Sequence, residues 1–105
     1  MNGLEHLRNA HRALHNGFGD PREALQAAGD EFWRGVFYAP AWPEDLRKAA
    51  EDVYPSILLR GSIQRTIAEL DDAGLEEAQR KIEHFCGLAE RILGAQTAAQ
   101  SSSPA

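Results

Sequence analysis

The stretch LEEAQRKIEHFCGLAERIL, residues 75 to 93, decides the fold. Leu75, Ala78, Ile82, Phe85, Ala89 and Ile92 recur at intervals of three and four, which places all six on one stripe of an α-helix. Glu76, Glu77, Arg80, Lys81, Glu83, Glu90 and Arg91 fall mostly off that stripe. Glu76 precedes Arg80 by four and Glu77 precedes Lys81 by four, an orientation that adds about 0.2–0.5 kcal/mol per pair. A single apolar stripe is stable in water only when something covers it. The rest of the chain must therefore supply the cover.

Upstream, residues 3 to 16 read as a first helix with Leu4, Leu7, His11 and Leu14 on one face, and Gly17 suits its stop. Asp20-Pro21-Arg22-Glu23 is a start signal: Asp20 caps, Pro21 fits the first helical position and Glu23 completes a capping box. Leu25, Ala28, Phe32 and Val36 carry that second helix to about Tyr38 unless Gly29 and Asp30 break it. Pro40 to Pro43 is a connector. Pro43-Glu44-Asp45 opens a third helix whose apolar face is Leu46, Ala49, Ala50 and Val53.

Pro55 lacks an N–H and predicts a kink or break, with helix resuming to Asp71 through Ile57, Leu58, Ile63, Ile67 and Leu70. Asp72-Ala73-Gly74 then reads as a tight turn between antiparallel helices. Gly61 and Gly87 would sit level on either side of that turn and permit a close crossing, with Ile63 facing Phe85 and Leu70 facing Ala78. No stretch reads as a β-strand. The expectation is an all-α antiparallel bundle of four helices, or five if Pro55 breaks the third, over residues 1–94, with a flexible tail over 95–105.

The chain has 105 residues and a net charge of −5, enough for one core and unfavourable for binding nucleic acid or anionic membranes. Arg8, Arg12 and Arg22 are the nearest thing to a basic patch. One cysteine excludes an intrachain disulfide and any Cys-x-x-Cys metal spacing. With no leader pattern and no long apolar run, a cytoplasmic location is expected.

Candidate chemistry is sparse. His11 and His15 are spaced i, i+4, so two imidazoles share one helix face and can share an ion. His6, Glu5 and Asp20 are the further donors near in sequence, but nothing fixes them, so no metal or cofactor is assigned. Glu69-x-x-Asp72 resembles half of the carboxylate pattern with which helical nucleotide pyrophosphohydrolases hold magnesium, and the upstream Glu-x-x-Glu half is missing. His84 and Cys86 point about 200° apart on a helix and make no nucleophile–base pair. Cys86 beside Phe85 reads as a small buried residue. No catalytic residues are assigned.

The unusual feature is aromatic density. Phe32, Trp33, Phe37, Tyr38 and Trp42 are five of the chain's eight aromatic residues. Phe32 belongs to the core stripe, whereas Trp33 and Phe37 form a second one that needs a cover of its own. Either the Pro40–Pro43 connector folds back over it, or it is a surface for partners. The leading expectation is a small interaction module that contacts a protein partner or a second copy through Trp33, Phe37, Tyr38 and Trp42. A metal- or small-ligand-binding bundle using the His11/His15 face is the alternative.

Overall fold

Residues 75–93 do lie on one helix, and that helix is the spine of the molecule. The structure, a computed structural model, describes residues 3–15, 20–57 and 62–101. Within them run five α-helices: α1 (Leu4–His15), α2 (Pro21–Val36), α3 (Glu44–Ile57), α4 (Ile63–Glu69) and α5 (Asp72–Ser101), with a 3-10 turn at Ala39–Ala41. No strand is found among the described residues. At 1.5 Å per residue, α5 is about 45 Å long, most of the molecule's 51 Å extent. The protein is an all-α bundle.

The expected stripe of α5 faces the core. Ala78, Ile82, Phe85, Cys86, Ala89 and Leu93 are buried, while Leu75 and Ile92 pack at its edge. The cover comes from α1 and α3, and from α2 to a lesser degree. Leu4, Leu7 and Ala10 face inward from α1, Leu25, Ala28 and Phe32 from α2, and Leu46, Ala50, Val53 and Ile57 from α3. At the centre the Phe85 ring stands edge-on to Phe32 at 5.1 Å and tilts against Trp42 at 5.8 Å. α1 runs antiparallel to α2: Gly3 lies beside Gly35 and Tyr38, and a Cβ on Gly35 would come within 3.0 Å of Leu7.

The start of α2 follows its sequence signal. Asp20 caps α2 by accepting from the N–H of Arg22 at 2.9 Å. α2 passes through Gly29 without a break. Ser62 caps α4, accepting from the N–H of Arg65. Arg22 caps the other end of α4, its Nη1 donating to the carbonyls of Ile67 and Ala68 at 2.6 and 3.1 Å; the Ile67 carbonyl also accepts from the N–H of Leu70.

The second half of the chain departs from expectation in five ways. Pro55 does not break α3; it sits in the last turn, where little helix remains to disrupt, and α3 continues to Ile57. A separate helix, α4, opens at Ile63 behind the Ser62 cap, which makes five α-helices among the described residues; Leu58 and Gly61 lie outside them. Asp72-Ala73-Gly74 is not the turn but the first turn of α5, with the Asp71 carboxylate accepting from the N–H of Gly74 at 2.7 Å as its cap. The connector is thus only Leu70 and Asp71.

The fourth departure concerns pairing. With seven residues, α4 packs chiefly on α2 and α3, not along α5. The close crossing expected at Gly87 is not made, because a Cβ there would meet nothing within 4 Å. The tight approach is at Gly29, where a Cβ would lie 2.9 Å from Cγ2 of Ile63. Ile63 is therefore set on α2, and Leu70 folds onto the start of α5 beside Gly74. Finally, α5 runs past Gly94 to Ser101, into residues read from sequence as a tail.

Candidate functional site

The aromatic run divides into two tiers. Trp42 is 3% exposed and belongs to the core against Phe85, because the 3-10 turn at Ala39–Ala41 carries the chain back over the bundle. Tyr38 is half-buried, stacked on His6 at 6.2 Å. His6 Nδ1 in turn lies 3.0 Å from Oε2 of Glu31, tying α1 to α2. Neither Trp42 nor Tyr38 is part of an open face.

Trp33 and Phe37 are. They stand one turn apart on α2 and its C-cap, 41% and 74% exposed, with ring centroids 6.4 Å apart in an edge-on arrangement. Tyr54 of α3 supports Trp33 from the side at 5.9 Å and also touches Phe32, so the patch is anchored to the core. Burial, with the nearby Glu51 carboxylate a smaller influence, pushes the Tyr54 hydroxyl above its ordinary pKa. The connector covers Trp42's side of the bundle and leaves Phe37 to solvent.

A second cluster lies where α1 meets α5. Arg8 makes a bidentate pair with Glu90 at 2.7 and 2.9 Å, which holds the Glu90 carboxyl below the usual carboxylate range. Further along α1, His15 Nε2 is 2.5 Å from Oε1 of Glu83. The His11 ring lies 4.7 Å from that of His15. One donor atom each from His11, His15 and Glu83 fall within 4.8 Å of one another. His11 also lines a cleft of about 370 Å³ with Arg8, Glu90 and Cys86.

No protein-family model matches the chain, and no curated protein or solved structure is significantly similar to it.

The remaining sequence candidates are accounted for structurally. His11 is exposed, since Ala10 takes the inward position expected of it. Arg8 and Arg22 are engaged by Glu90 and by α4, at separate places, so they do not combine into a basic patch. His6 and Asp20, read as possible partners of His11, are bonded instead to Glu31 and the α2 N-terminus. Asp71, between the two acids of the Glu69–Asp72 pair, serves as a helix cap. Cys86 is buried, its thiol donating to the Leu7 carbonyl at 3.3 Å, and burial pushes it up to about 12. No described helix is long and apolar enough to cross a membrane.

Glu83 was missed by sequence reasoning. It stands 68 positions from His15, and nothing local marks it: which acid of α5 meets α1 depends on how the two helices dock.

Proposed function

We propose that this protein is a cytoplasmic helical interaction module whose contact surface is the Trp33–Phe37 face, and that its simplest occupant is a second copy of the chain. The exposure of Phe37 carries this reading: it is the most exposed large apolar side chain described, and it adjoins the only other one. Aromatic side chains bury much area with little loss of rotamer freedom and are enriched at the centres of interfaces. Trp33 is already braced by Tyr54, so little ordering is left for association to supply. Two rings make less than the ~800 Å² per partner of a standard interface. The neighbouring exposed residues Asp30 and Arg34 would contribute to its polar rim, and exposed Pro40 would extend the apolar area.

Sedimentation equilibrium on untagged protein tests the proposal. A concentration-dependent dimer is expected, with Phe37→Ser weakening it at least tenfold and leaving the melting temperature within a few degrees. A parent protein that stays monomeric to millimolar concentration would overturn self-association.

A further inference from the structure

We propose that His11, His15 and Glu83 form a binding site for one zinc ion, held across the α1–α5 interface. Two imidazoles and a carboxylate are a donor set that zinc uses with a fourth position left for water. The two histidines are paired by helical spacing alone, and the docking of α5 brings Glu83 to them with His15 and Glu83 in contact. The imidazole pair disfavours magnesium and calcium, which take oxygen donors.

The geometry needs a small contraction. Donors on a tetrahedral zinc lie about 3.3 Å apart given ~2.0–2.1 Å bonds, against the present 4.8 Å limit. His11 and His15 are exposed and Glu83 is half-buried, so side-chain rotation closes the gap without moving either helix. The surrounding charge permits a cation. Arg8, on the same face of α1, is neutralised by its bidentate pair with Glu90, and the exposed side chain of Arg12 has room to turn into solvent. Cys86 is not a fourth ligand: its Sγ is buried and directed at the Leu7 carbonyl.

Because the ligands come from both helices, the ion would clamp α1 to the spine and stabilise the folded chain. Chelator-treated, untagged full-length protein is titrated with cobalt(II), followed by visible absorption, and with zinc chloride, followed by calorimetry and thermal melts. Expected are one ion per chain, the intense visible bands of a four-coordinate cobalt centre, and a melting temperature that rises with zinc. His15→Ala and Glu83→Gln should each weaken zinc at least tenfold, and His84→Ala, which changes an exposed histidine outside the cluster, should not. His15 and His84 are exposed and Glu83 is half-buried, and circular dichroism checks that the variants fold. Zinc binding unchanged by Glu83→Gln, equal sensitivity to His84→Ala, or no binding at millimolar zinc would each overturn the site.

Discussion

Cys86 shows how much one side chain owes to its neighbours. Its thiol is enclosed between α5 and α1, and desolvation, reinforced by the charge of Glu83, holds it in the protonated form at about 12. The thiolate is the reactive species. At pH 8 a disulfide reagent such as Ellman's should therefore label the native protein at least a hundredfold more slowly than protein unfolded in guanidinium. Comparable rates would place the thiol at the surface. Sequence reasoning reached this burial from the residue's position beside Phe85, but erred on His11. A helix beginning at Leu4 and Leu7 continues its stripe equally well through position 10 or position 11. Where α2 and α5 press on α1 settles that choice, and it turned Ala10 inward and left His11 in solvent. One step of helical phase separates a core histidine from a surface ligand.

Between elements, two glycines that look alike in the sequence behave oppositely. Gly87 lies on an exposed face of α5 with open space where a Cβ would go. Gly87→Ala removes only the entropic penalty of glycine in a helix and should stabilise the protein by about 0.5–1 kcal/mol, a rise of several degrees in melting temperature for a domain this size. Gly29 is buried where α2 crosses α4, and an added Cβ would come within 2.9 Å of Ile63 Cγ2. That methyl sits on a stiff β-branched side chain, so the helices themselves must separate. Overpacking of about 1–3 kcal/mol outweighs the helical gain, and Gly29→Ala should lower the melting temperature. Thermal unfolding by circular dichroism reads both, and a Gly29→Ala protein more stable than the parent would show the crossing to be loose. Helix existence was legible here because period, caps and prolines are local. Pairing was not: a glycine tolerated on a surface and one required at a crossing carry the same letter. The short α4 followed Gly29 rather than the expected level partner on α5.

At the scale of the whole molecule, the all-α architecture followed from periodicity, whereas the sorting of aromatics into core and surface did not. Trp33 and Trp42 are nine residues apart and equally apolar, yet one is 41% exposed and the other 3%. The difference arises from the 3-10 turn at Ala39–Ala41, which folds the chain back so that Trp42 completes the central cluster with Phe85 and Phe32. That cluster joins α2, α5 and the connector into α3, so its loss is felt by most of the bundle. Trp42→Ala should cost about 3–5 kcal/mol, a large part of the 5–15 kcal/mol that holds a domain of this kind together. Trp33→Ala should cost distinctly less, since Trp33 is already 41% exposed; the ring contacts it loses are those with Tyr54 and Phe37. Urea unfolding followed by far-UV circular dichroism, which needs neither tryptophan as a probe, makes the comparison. The midpoint of Trp42→Ala should fall well below that of Trp33→Ala, with similar slopes if both variants unfold in two states. Equal losses would mean that Trp33 is as much a part of the core as Trp42, and that the Trp33–Phe37 face is not a surface held ready for a partner.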